Sequence, residues 1–385
     1  MKTAPLTARR SRGLLTGYFL GLGVVMAIWG ARMPAVQQTA HLSTAHLALV
    51  LLAAALGMVA GLQAGSRLAQ PERLPALLTS GATGIAACLA LLGQCDNLPS
   101  LLTAALAFGI AHGVLDVALN SAAVRCQNAA GRPIMSSLHA AYSIGALAGA
   151  ALAAVTAHIR HSTLFLATGL ALTCAALAAA PVTRSLNGTD QPAAPAGLAH
   201  GEIRPALSSG KLWLLGVLAA SCLLGEGAAA DWAAVHLHSL DASTAVSAAA
   251  FALYSAAMAL GRQTGDRLTA TFGAPRVVRV GAILAVAGLA TGAVTSSMPL
   301  ALAGWALFGL GLSITVPCLI TAAGVGGPRA VATVAVTGYL GLLAGPALIG
   351  ALATVTTLST ALLLPALLAA AVAALSHRAL EKPSP

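Results

Sequence analysis

Residues 105–145 read ALAFGIAHGVLDVALNSAAVRCQNAAGRPIMSSLHAAYSIG, two apolar runs joined by a short basic turn. The first run carries an acid, Asp116, in its interior. On a helix, His112, Asp116 and Asn120 stand at i, i+4 and i+8 and form one polar stripe. After the turn, His139, Tyr142 and Ser143 follow at i, i+3 and i+4 and share a face in the same way. If these runs cross a membrane, a carboxylate at that depth costs about 2.5–3.5 kcal/mol on insertion scales. Such an acid is by default a functional residue, so the fold turns on whether the runs are membrane spans.

The rest of the chain answers that. Of its 385 residues, 58% are hydrophobic and only 8% are charged, with a mean hydropathy of +0.87. A soluble domain is about a quarter charged, so this chain has too little polar surface to face water on all sides. Continuous runs such as LALVLLAAALGMVAGL at 47–62 do not alternate, which excludes a β-barrel. The net charge of +10 sits in loops between apolar runs and gathers on no helical face, so nucleic acid is not an expected partner. Six scattered cysteines with no CxxC spacing imply small buried residues; neither a metal site nor a cofactor is expected. The apolar run that begins at Gly13 is too long for a cleaved leader and reads as a retained first span.

Apolar runs fall near 13–36, 44–66, 74–94, 98–124, 134–158, 161–180, 211–235, 243–262, 277–296, 299–322, 330–354 and 357–376. The expectation is an all-α polytopic membrane protein of twelve transmembrane helices. With the N-terminus inside, 18 of the 20 Lys and Arg residues face the cytoplasm, and only Arg32 and Arg160 face out. Both termini are therefore expected in the cytoplasm. Residues 181–210, rich in Pro, Gly, Ser and Thr, read as a flexible cytoplasmic linker. It separates a six-helix bundle over 1–180 from a second over 211–385.

The two halves look like repeats. GLQAGSRL at 61–68 matches GRQTGDRL at 261–268 at an offset of 200, and Phe108-Gly109 matches Phe308-Gly309 at the same offset. Gly145 and Gly149 have counterparts in Gly341 and Gly345, and Trp29 has one in Trp232. Parallel repeats of this kind imply a solute site between pseudo-symmetric halves, opened alternately to each side.

The GRQTGDRL run, between spans eight and nine, resembles the cytoplasmic-loop signature of the major facilitator superfamily. The 6+6 division and the long central loop fit that resemblance over the whole chain. Three stretches, Trp29–Pro34 (WGARMP), Asp116–Asn120 (DVALN) and Gly131–His139 (GRPIMSSLH), are similar to a bacterial sugar-permease-like branch near the fucose permeases. Two departures stand out. Ser66 occupies the place of the signature's acid in the first half, and the fifth span has no Gly-Pro pair of the kind drug exporters carry, which appears instead as Gly345-Pro346 on the eleventh.

The candidate site follows from polar residues inside spans. Asp116, with His139 at a similar distance from the connecting turn and His112 one helical turn away, reads either as a proton-coupling site or as a cluster locking spans four and five. Glu226 reads either as a second coupling carboxylate or as half of a structural ion pair, and it is also a candidate solute contact; the glycines beside it would let the helix bend or unwind. Asp231, five residues on and about 140° around the helix, faces elsewhere. It is an expected partner for Arg32, or simply an interfacial charge. Trp29, Asn120, Tyr142 and Trp232 are candidate substrate-binding residues, the tryptophans either stacking on a ring or anchoring span ends. Arg67, Asp266 and Arg267, with Arg32 and Asp231, read as gating charges.

No nucleophile or metal constellation points to an enzyme, and no nucleotide-binding domain is present. The expected function is a proton-coupled secondary transporter of a small organic solute by alternating access, a symporter of a polar or sugar-like solute. A proton-antiport exporter of drugs or metabolites is the alternative. The expected partners are the solute, protons or another cation, and the lipid bilayer, with the chain acting as a monomer.

Overall fold

The structure, a computed structural model, describes residues 6–184 and 207–381. The described residues form helices and contain no strand. In the first half these are α1 (Leu6–Thr39), α2 (Thr44–Leu68), α3 (Leu74–Leu92), α4 (Leu98–Ala130), α5 (Met135–Val155) and α6 (His161–Arg184). In the second they are α7 (Ser209–His238), α8 (Thr244–Phe272), α9 (Ala274–Val294), α10 (Met298–Leu312), α11 (Thr315–Ala323), α12 (Pro328–Val355), α13 (Leu358–Ala361) and α14 (Leu363–Leu380).

Eleven stretches of the described residues are long and apolar enough to cross a membrane, with α10–α11 and α13–α14 each counting as one. Helix α8 is not among them; it carries Arg262, Asp266 and Arg267 and is 29 residues long. With α8 there are twelve long helical stretches, the number expected. Most of the expected linker, residues 185–206, lies outside the described residues.

The chain forms two compact units. One gathers the described residues of Met1–Gly131, Ala141–Ile203 and Gly327–Ala332; the other gathers those of Arg132–Ala140, Arg204–Gly326 and Thr333–Pro385. The start of α5 therefore belongs with the second unit and the start of α12 with the first.

Local geometry repeats at the offset of 200 seen in the sequence. Ser43 caps α2 by accepting from the backbone N–H of His46 at 3.2 Å, and Ser243 caps α8 by accepting from Val246 at 3.4 Å. Two residues before each cap the backbone turns left-handed, at His41 (φ 50°) and Asp241 (φ 61°), residue types that tolerate that region. In each half one helix pair approaches backbone to backbone. The Cβ that Gly109 of α4 lacks would collide with the Ala54 carbonyl of α2, and one on Gly309 of α10 would collide with the Tyr254 carbonyl of α8. Between lipid-bathed helices such close packing by small residues replaces the hydrophobic drive available in water.

Several span boundaries differ from expectation; α8, for one, runs to Phe272, past the expected end at 262. Helix α4 runs on to Ala130, well past the expected end at 124, and α6 continues through Pro181 to Arg184. The tenth span is not one helix: it breaks at Ser313-Ile314 between α10 and α11. Pro317 explains the break, because it has no N–H for the carbonyl four residues earlier and its ring crowds that carbonyl. Of the six cysteines, all free, Cys126, Cys222 and Cys318 are buried as expected, whereas Cys174 is exposed on α6.

Gly109→Ala is expected to lose about 1–3 kcal/mol or more through overpacking, because backbone stands where the methyl must go. Gly30→Ala, at a position with nothing within 4 Å of a new Cβ, is expected to behave as wild type. Monodispersity and thermal stability in detergent check the pair.

Candidate functional site

The densest polar cluster lies in the second unit. Glu226, near the middle of α7, is 3.3 Å through Oε1 from Nη2 of Arg262, which comes from the middle of α8. Their side chains are 22% and 9% exposed, so both charges are largely withdrawn from water. Arg262 Nε also donates to the Ser313 carbonyl at 3.4 Å. That carbonyl is the one Pro317 leaves without its helical donor, so the guanidinium supplies what the broken span lacks. Tyr254, two turns before Arg262 on α8, lies within electrostatic reach of both charges. Its hydroxyl is buried with no hydrogen-bond partner.

Aromatic rings wall the cluster. Tyr254 lies 5.9 Å from Phe308 and Phe308 lies 6.0 Å from Trp305, centroid to centroid. Gly225 is buried against the Phe308 ring. The glycines beside Glu226 do not unwind α7, which is continuous from Ser209 to His238. Gly225 admits a neighbouring ring, and the discontinuity sits in the facing span. A buried pair of this kind is held by mutual dependence: removing one partner strands the other charge, at a cost of about 3–5 kcal/mol.

In the first unit the stripe of α4 is in place. His112 and Asn120 are buried and Asp116 is partly so. The Asn120 amide donates from Nδ2 to the backbone carbonyl of Asp116 at 2.9 Å, and its Oδ1 is buried without a partner. His139 belongs to the second unit, where Arg262 acts on it electrostatically. Tyr142 is half-buried, and its backbone lies against Gly23 of α1. Trp29 is 5% exposed, with its ring 5.3 Å from Phe108 and 6.3 Å from Phe165. That makes it a core residue joining α1, α4 and α6. Its counterpart Trp232 is half-buried and touches the Cβ position of Gly350 on α12.

The gating charges divide. Asp266 accepts from the backbone N–H groups of Ser136 at 2.9 Å and Ser137 at 3.1 Å, capping the first turn of α5. A carboxylate there meets orphan donors and the positive end of the helix dipole together. Its counterpart Ser66 turns back on its own helix, donating to the Gln63 carbonyl at 2.8 Å. Arg67 and Arg267 are exposed. Arg32 is engaged within its own unit. Its guanidinium donates to the Thr156 carbonyl, to Thr156 Oγ1 at 3.2 Å and to the Ala157 carbonyl at 3.4 Å. These are the groups left open where α5 ends, and a fork of donors satisfies them as an acid cannot. Asp231 is exposed.

Sequence reasoning missed Arg262, which it counted among the cytoplasmic charges. The signal was present: Gly261-Arg262 pairs with Gly61-Leu62 across the repeat, so an arginine replaces a buried leucine. Pro317 was the unread signal for the broken span. Among the described residues no cluster of three His, Cys, Asp or Glu side chains is placed to hold a metal.

Residues 132–328 match the family described as Major Facilitator Superfamily. The chain is 31% identical over 374 residues to the uncharacterized transporter y4wD of Sinorhizobium fredii, covering 95% of this chain and 97% of that one. It is 32% identical to an uncharacterized MFS-type transporter of Yersinia pestis, covering 96% and 94%. Among solved structures, the E. coli fucose:proton symporter FucP superposes with a TM-score of 0.69 over 96% of this chain and 98% of that one, at 17% identity. The likeness is one of fold: an all-α, two-bundle membrane protein.

Removing the α5 cap is expected to have a measurable cost. Asp266→Ala should lower stability by about 1–2 kcal/mol, the worth of a helix cap, and Asp266→Asn, which keeps one acceptor oxygen, by less. Thermal unfolding of the purified variants checks the order.

Proposed function

The chain belongs to the Major Facilitator Superfamily, and on that premise we propose that it imports a small polar, sugar-like solute by proton symport across a bacterial inner membrane. It is a secondary transporter with the alternating-access fold of that family, not an enzyme. The observation that carries the coupling proposal is the buried Glu226–Arg262 pair. A carboxylate beside a permanent cation has two states: ionised, it holds Arg262; protonated, it releases it. Arg262 also supports the broken span through Ser313, so loading a proton on Glu226 alters what holds α8 to α10–α11. A site of this kind biases a two-state equilibrium by local charge.

Two features support a polar solute. The Oδ1 of Asn120 and the hydroxyl of Tyr254 are buried without partners, each a lost hydrogen bond worth about 1–3 kcal/mol. A solute hydroxyl would satisfy either one. The fold is shared with a fucose:proton symporter, which adds an analogy and no residue assignment. In this reading Asp116, with His112, is the proton site of the first unit, and Glu226, with Arg262 and the His139 within its electrostatic reach, is that of the second. Tyr142 and Trp232 contribute further solute contacts, while Trp29 serves the core. The Asp266 cap on α5 forms and breaks as the inner side closes and opens, with Arg67 and Arg267 flanking the two signature loops. The chain acts as a monomer with both termini in the cytoplasm, and a cytoplasmic linker joins α6 to α7.

A thermal-shift screen over sugars and polyols identifies a solute for transport in liposomes. With the outside acidified, wild type should accumulate that solute. Glu226→Gln and Asp116→Asn should each cut accumulation about a hundredfold, the scale of a lost proton-transfer group, while exchange without a gradient persists. Accumulation by wild type that ignores the imposed gradient would end the coupling proposal. Expulsion under the same gradient would replace symport with antiport.

A further inference from the structure

A cavity of about 460 Å³ lies wholly within the first unit, between α1, α3, α4 and α6. It falls in the size range of ligand sites and is separate from the charges discussed above. Its walls are aliphatic apart from two residues, Arg10 and Tyr18. Tyr18 is already engaged, its hydroxyl 2.9 Å from Thr183 Oγ1, which pins α1 to α6. Arg10 is exposed and is the first residue of the first candidate membrane span, so its guanidinium sits at the edge of the apolar slab.

The floor of the cavity is made by α1. Gly13, Gly17 and Gly21 recur at every fourth position and all line it. Most glycines in these bundles stand where a Cβ would strike a neighbour. A Cβ on Gly13 or Gly17 would meet nothing within 4 Å, and one on Gly21 only Leu172, at 3.8 Å. These glycines therefore keep a trough open where the fold alone would admit side chains.

An apolar trough offers water no hydrogen bonds, whereas the surrounding bilayer supplies acyl chains. A chain gains little by leaving lipid for an equally apolar groove. Selectivity must then come from the polar end, where the one charged wall residue is a cation. Positive charge at the membrane edge attracts anionic headgroups, and a guanidinium matches phosphate oxygens in a fork.

We propose that this trough binds an anionic phospholipid, one acyl chain lying along Gly13, Gly17 and Gly21 and the headgroup phosphate meeting Arg10. The site goes beyond the transport reading and stands independently of it. A lipid held there bridges α1 to α3 and α6, adding to the Tyr18–Thr183 contact.

The test is thermal unfolding of the purified full chain in detergent with phosphatidylglycerol or phosphatidylcholine added. Phosphatidylglycerol should raise the wild-type Tm by about 3 °C more than phosphatidylcholine does, as expected of a ligand specific to the folded state. Gly17→Leu, which fills the trough without meeting backbone, should keep the lipid-free Tm and lose the response. Arg10→Gln should respond equally to both lipids. Equal responses of wild type to the two lipids, or an undiminished response in Gly17→Leu, would overturn the proposal. So would inorganic phosphate alone reproducing the rise, since that requires no trough.

Discussion

A charge within a bundle of apolar helices has few places to go, and the second half of this protein resolves that constraint by pairing. Glu226 and Arg262 meet at 3.3 Å between α7 and α8, each compensating what the other could not bear alone. The pair is joined to the backbone as well. Pro317 breaks the tenth span, the break frees the Ser313 carbonyl, and Arg262 donates to it. Three helical stretches thus depend on one guanidinium, and its hold on Glu226 is the interaction a proton would remove.

The two halves share a frame and differ in what they place inside it. The left-handed turns at His41 and Asp241, the caps at Ser43 and Ser243 and the glycine contacts of Gly109 and Gly309 recur at one offset. On that frame Leu62 corresponds to Arg262, Val117 to Pro317 and Ser66 to Asp266. In each pair the second half has the residue that breaks, charges or caps. The first half keeps a continuous α4 with Asp116 and Asn120 on one stripe and a Trp29 core sealed by Phe108 and Phe165. A repeat specialised in this way suits a transporter whose halves have different tasks.

Much of the fold was legible because its signals are long and periodic: apolar runs of span length, loops marked by arginine, and a repeat that survives in glycines and caps. The features that sequence reading misplaced are all pairwise. An arginine at the end of an apolar run looks like a loop charge until the facing helix presents Glu226. Arg32 looks like a partner for an acid until the chain brings the open carbonyls of Thr156 and Ala157 beside it. Trp29 and Trp232 are equivalent by position, yet their neighbours differ, so one is core and the other is half-buried. The glycines around Glu226 suggested a bend or unwinding, but α7 stays helical through them and Gly225 makes room for Phe308. Asp266 stood out by its loop signature, whereas its partner, the first turn of α5, lies 130 residues away in the chain.

The central claim is that Glu226 and Arg262 form one unit whose charge state governs transport, and that each is tolerated only because of the other. The direct measurement compares Glu226→Gln, Arg262→Met and the double variant for folded yield, thermal stability and gradient-driven uptake. The account predicts that each single change destabilises the protein, that the double change regains most of the lost stability, and that none of the three couples uptake to protons. A double variant that transports with wild-type dependence on the proton gradient would contradict it.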